Sequence, residues 1–185
     1  MRITKDLRAD QDNIRRFLAA LGGASVLLVS NKKARPSFFI YSHTFIQEYI
    51  EQGFFKKEEL LIKALEDGGF PPTEGPIYLM RSDQKKSRDA GELMIKASKQ
   101  WQSGDENVRI EVGWASSEYT TTMRQHLDRL KNLIFPLLEQ TISEDDEYRI
   151  AEGITNIVFE GPMQEGEEKY IKIIETLEEE LSNWK

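Results

Sequence analysis

Four polar residues stand where an apolar helical stripe should continue: Gln11, Glu59, Gln84 and His126. Each occupies the inward register of a different segment, near its middle. A histidine, a carboxylate and two amides on facing helices could hold a metal ion or a small polar ligand, because helical bundles build such sites from inward side chains. Glu58 adjoins Glu59, and paired carboxylates suggest acid–base work. Neighbours on a helix point about 100° apart, however, so one faces in and the other faces solvent. Continuing the four-residue step from Phe55 puts Glu59 inside. The structural reading of the same residues is that polar groups in a core satisfy one another or water and fix helix register.

Other chemistry is thinly represented. There is no Walker loop, no G-x-G-x-x-G, no H-E-x-x-H and no G-x-S-x-G. The absence of cysteine excludes disulfides, thiolate metal sites, iron–sulfur clusters and cysteine nucleophiles. The second histidine, His43, falls near the start of the second helix and reads as a surface or capping residue. Trp101, Trp114 and Trp184 read as packing anchors. The acidic run of Glu175 and Glu178 to Glu180 reads as the wet face of an amphipathic helix.

The elements that must position these residues are helical. Ile3, Leu7, Ile14, Leu18 and Leu21 recur at steps of three and four once Gln11 is included. A second segment runs through Phe45, Tyr49, Phe55 and Ile62. A third follows Pro76, a good first-turn residue, through Ile77, Met80, Met94 and Trp101. A fourth runs through Tyr119, Met123, Leu133 and Leu137. Ser143 followed by Glu144 and Asp145 is a helix start, with a capping hydroxyl and acids in the first turn. A short helix with Ile150, Ile154 and Ile157 and a last helix with Tyr170, Ile173, Ile174, Leu177 and Leu181 follow. Gly22-Gly23, the stretch from Gly68 to Pro76, Gly104-Asp105 and Gly161-Pro162 punctuate the chain. Val108, Ile110, Val112 and Trp114 alternate like a strand, but potential partner strands are short, so this stretch is assigned to the start of the fourth helix.

Length and composition fit one domain over 1–185, with hydrophobic residues at 39% and charged residues at 31%. The net charge of −7 repels phosphate backbones, so nucleic acid is not an expected partner. The charged stretch from Met1 to Arg16 lacks a signal-type apolar core, and no apolar run is long enough to span a membrane. A cytoplasmic location is the expectation.

Several motifs resemble the hemerythrin-like (HHE cation-binding) family along nearly the whole chain. The run from Phe54 to Leu65 resembles that family's H-H-x-K-E-E helix, and Gly69 to Ile77 resembles its G-M-P-x-E-G-G-P-I loop. His126 to Pro136 resembles H-I-x-K-E-D-N-x-L-F-P, and Glu167 to Ile171 echoes H-E-K-Y-H. The resemblance implies an all-α, antiparallel four-helix bundle over about 3–140, with additional C-terminal helices over about 143–184. It also implies where metal ligands would stand. The family's first-helix histidine falls on Gln11, its second-helix histidines on Phe54 and Phe55, and its third-helix histidine on Gln84. Its fourth-helix carboxylate falls on Leu130 or Lys131. Glu59 and His126 remain as family-type ligands, with Glu58 beside the first.

One histidine, one glutamate and two neutral amides do not suffice for a diiron carboxylate centre, which needs several imidazoles and bridging carboxylates. The expectation is therefore a non-enzymatic bundle with a degenerate, metal-free site, acting as a binding, sensory or interaction module. Its remnant pocket is Gln11, Phe55, Glu58, Glu59, Gln84, His126 and Leu130. The alternative is a remodelled pocket that holds iron or another single divalent metal at Glu59 and His126, or a small polar molecule at Gln11 and Gln84. A diiron oxygen-handling protein ranks last. A protein partner is unidentified, and self-association is left open. Glu59 and His126 are expected to pair, with Arg88 as a competing partner for Glu59.

Overall fold

The computed structural model describes residues 2–185; Met1, the first residue of the charged N-terminal stretch, lies outside them. The described residues form six helices and no strand. α1 is Arg2–Leu27, α2 spans 36–67 and α3 is Gly75–Gln102. α4 spans 109–141, α5 is Glu144–Glu160 and α6 is Glu168–Trp184. Val108 to Trp114 thus enters α4 through a single 3₁₀ turn, Glu106–Val108, and is helical.

Two of these helices change pitch. α2 comprises Pro36–Phe45, a π-helical stretch Ile46–Phe54, and Phe55–Asp67. α4 comprises Arg109–Arg129, a π-helical turn Leu130–Ile134, and Phe135–Thr141. In the second case the cause is visible. Pro136 has no N–H to give to the carbonyl four residues back, and the turn before it widens so that the Phe135 N–H reaches Leu130 O.

Side-chain contacts fix the directions. Asp10 meets Lys57 and Phe17 meets Phe45, so α1 and α2 are antiparallel. Glu58 meets Gln84 and Glu51 meets Arg88, so α2 and α3 are antiparallel. Asp83 meets His126 while Gly91 lies against Tyr119, which reverses α4 relative to α3. Arg15 meets Asp128 and Gly22 lies against Thr120, which reverses α1 relative to α4. α6 runs alongside α1 in parallel, with Arg16 on Glu178 and Gly23 on Leu181. α5 covers the second half of α2, where Gly153 touches Leu60.

The pair Gly22-Gly23, a break by sequence, lies inside α1. A Cβ on Gly22 would approach Thr120 Cγ2 to 3.2 Å, and one on Gly23 would approach Leu181 Cδ2 to 3.0 Å. Both glycines therefore let α4 and α6 come close to α1. Gly69 does end a helix: its φ of 97° is left-handed, and the Phe70 N–H turns back to Leu65 O at 3.0 Å. Ser143 caps α5 as expected, its Oγ accepting from the Asp146 N–H at 3.1 Å.

The core is continuous. Phe17, Phe45 and Tyr49 stack in sequence, with centroids 4.3 and 4.7 Å apart, and Tyr170 of α6 closes on Phe45 and Tyr49. Trp101 and Trp184 are buried. Trp114 is not an anchor; it is 68% exposed, because its position on α4 faces away from both α1 and α3.

Candidate functional site

His126 is fully buried on α4, with a carboxylate at each ring nitrogen. Nε2 lies 2.6 Å from Glu58 Oε1, and Nδ1 lies 3.1 Å from Asp83 Oδ2. Gln84 donates from Nε2 to Glu58 Oε2 at 2.7 Å. Arg129, one turn beyond His126, donates from Nη1 to Asp83 Oδ1 at 2.5 Å. Three helices, α2, α3 and α4, thus contribute to one chain of hydrogen bonds.

The electrostatics follow from this arrangement. Burial alone would lower the His126 pKa, but the charge of Glu58 and the hydrogen bonds that the ring donates to Asp83 and Glu58 outweigh it and push the imidazole up to about 9. Protonated, both ring nitrogens are donors, which suits an acceptor on either side. Burial would raise the Asp83 pKa, yet His126 and Arg129 hold it below the usual aspartate range. Two carboxylates therefore face two cations, and the interior carries little net charge, as a buried ionic cluster requires.

Sequence reasoning placed Gln84, His126, Phe55 and Leu130 inside, and all four are buried. The Phe55 ring meets the His126 ring edge-on, at 5.8 Å and 86°. Gln11 is buried too, but its Nε2 has no hydrogen-bond partner among the described residues.

Glu59 corrects the expectation. It points outward, about half exposed, and accepts from Arg81 Nη1 at 3.1 Å. Glu58 is the inward carboxylate. In the π-helical stretch the buried positions step by four, through Ile46, Ile50 and Phe54. Counting four on from Phe55 lands on Glu59, but the buried series itself continues from Phe54 to Glu58. The α-helix that resumes at Phe55 keeps that phase and buries Glu58, Leu61, Ile62 and Leu65. Arg88, expected to compete for Glu59, pairs with Glu51 at 3.1 Å. His43 is half-buried within α2, beside Gln47, and caps nothing.

Asp83 escaped the sequence reading. α3 packs against both α2 and α4, so its buried arc is wide enough to take two adjacent residues, Asp83 and Gln84. The pair Asp10 and Lys57 was missed for the same reason. It forms a buried salt bridge of 2.6 Å beside Gln11 and Glu58, with Tyr49 donating to Asp10 at 3.3 Å. The available signal was an acidic residue next to each inward amide.

The residues present do not fit the diiron group that the resemblance implies. A ligating imidazole needs one nitrogen free for the metal and uses the other to hold its orientation. Here the Nε2 and Nδ1 of His126 lie on opposite sides of the ring and each is taken by a carboxylate. The carboxylates are therefore divided by the imidazole and do not converge on a common point. A mononuclear site at Glu59 and His126 does not assemble either, because Glu59 is on the surface. Among the described residues no group of three or more His, Asp or Glu side chains is arranged to hold a metal ion. The clefts on the surface lie elsewhere; the one between α2 and α5, for instance, is lined by Leu60, Lys63, Asp67, Arg149 and Ile150. No helix among the described residues is long and apolar enough to cross a membrane.

No protein-family model, curated protein or solved structure matches this chain.

Proposed function

We propose that this chain is a hemerythrin-like antiparallel four-helix bundle, carrying two further C-terminal helices, in which an ion-pair network stands where relatives carry metal. On this reading it is a non-enzymatic module that acts by binding, sensing or interaction. The observation that supports it best is the double engagement of His126: both ring nitrogens hold carboxylates, at 2.6 and 3.1 Å. The nearby apolar side chains Phe55 and Leu130 support it further, because they bring no donor atom to the centre.

A second reading has one observation in its favour. The buried Gln11 Nε2 lacks a partner among the described residues, which leaves a donor for a small polar molecule with an acceptor group.

Metal content and the visible spectrum of the purified protein test the first reading. Substoichiometric metal and no oxo-bridge absorption after incubation with ferrous iron are expected. Two irons per chain, or a tight metal site abolished by His126→Gln, would overturn it. A titration of small polar metabolites monitored through the Gln11 side-chain amide resonance tests the second.

A further inference from the structure

α4 carries a second stripe that the fold does not use. Its buried seam runs through Val112, Ala115, Tyr119, Met123 and His126. On the opposite face, Ile110, Trp114, Ser117, Thr121 and Gln125 follow one another at steps of four, three, four and four. That spacing is the seam of a helix that packs against another helix. None of the five is charged, in a chain where charged residues make up 31%. Trp114, its largest member, is 68% exposed, and Ile110 is exposed as well. Ser117 and Thr121 are small enough for another helix to approach closely.

Neighbouring helices widen this face. Val29, just beyond α1, lies beside Gly113 and is exposed, as is Val26 at 80%. On α3, exposed Leu93 falls two turns after Lys86 and so shares its side. Lys86 lines a shallow depression with Trp114, Ser117, Glu118 and Thr121. Trp114 alone offers about 150 Å², a large part of the few hundred Å² at which contiguous exposed patches mark interaction sites.

The charges at the edge indicate the occupant. Lys86 and Glu118 border the depression, and neither forms an ion pair among the described residues. A twofold contact places each residue of one copy against its counterpart's partner on the other, so a second copy supplies a glutamate to each Lys86 and a lysine to each Glu118. Two chains of charge −7 repel at most orientations, and the uncharged stripe is where that repulsion is least.

We propose that the outer face of α4, carrying Trp114, is the contact through which two copies of this chain associate, helix α4 against helix α4, with Lys86 and Glu118 pairing across the twofold axis.

Sedimentation equilibrium over a wide concentration range tests this, with circular dichroism confirming that each variant is folded. The wild type should form dimers, and the emission of Trp114 should shift to the blue as they form. Trp114→Glu should weaken association at least tenfold. Lys86→Glu and Glu118→Lys should each weaken it alone. Mixing these two variants should restore dimers, because every cross-interface pair is then again of opposite sign. A wild type that stays monomeric at the highest concentration would overturn the proposal. So would a dimer indifferent to Trp114→Glu, or single charge variants that stay monomeric when mixed. None of these outcomes bears on whether the interior holds metal.

Discussion

Glu58 Oε1 lies 2.6 Å from His126 Nε2, and neither side chain has any exposed surface. Residues 68 positions apart are thus joined by a charge-assisted hydrogen bond inside the protein. Much of the behaviour expected of this protein follows from it.

Stability should fall on the alkaline side. The His126 pKa is raised from 6.5 to about 9, so the folded state holds a proton that the unfolded state releases first. The contribution is complete below about pH 6.5 and is lost as pH rises towards 9 and beyond. For a fully buried group a shift of this size corresponds to about 3 kcal/mol. Asp83 has the opposite sign: its lowered pKa stabilises above the usual aspartate range and is lost as pH falls through its folded value. Urea denaturation from pH 4 to 10 should show an alkaline decline that His126→Gln flattens. A wild-type profile that is level between pH 6 and 9 would mean a neutral imidazole.

Adjacent glutamates should respond very differently to substitution. Glu58→Ala leaves His126 and Gln84 without their buried carboxylate and should cost about 3–5 kcal/mol. Glu59→Ala removes an exposed pair with Arg81 and should cost less than about 1 kcal/mol. Equal losses would contradict the inward placement of Glu58.

The network should be coupled. Substituting both Glu58 and His126 with leucine should cost less than the sum of the two single changes, since each single change strands a buried charge. Strict additivity in a double-mutant cycle would show that the 2.6 Å contact contributes nothing.

Leu130 is fully buried, and Leu130→Glu would put a carboxylate into the interior beside a cluster already balanced in charge. A loss of several kcal/mol at neutral pH is expected. Unchanged thermal unfolding would require Leu130 to reach solvent.

Tyr119 is fully buried and its hydroxyl has no partner among the described residues, while burial and the charge of Glu51 push its pKa well above the ordinary value. Tyr119→Phe should therefore be neutral or stabilising, by up to about 1 kcal/mol. A destabilised variant would reveal a water that joins Tyr119 to the unpartnered oxygen of Glu51.

The sequence by itself determined the helices and most of the inward positions, because a 3.6-residue period reports which arc of a helix meets a core. Gln11, Phe55, Gln84, His126 and Leu130 were legible on that ground, and so was the capped start of α5 at Ser143. The tertiary structure decided everything that depends on the relation between helices. It chose Glu58 over Glu59, because α2 buries Phe54 and Phe55 alike and its inward phase continues from Phe54 to Glu58. It added Asp83, because α3 is covered on two sides and buries neighbours that a single stripe keeps apart. It kept Gly22 and Gly23 inside α1, because close approach by α4 and α6 outweighs their poor helix propensity. It also turned His126 between two carboxylates, an arrangement set by how α2, α3 and α4 rotate and slide against one another. A one-dimensional period carries no information about that rotation.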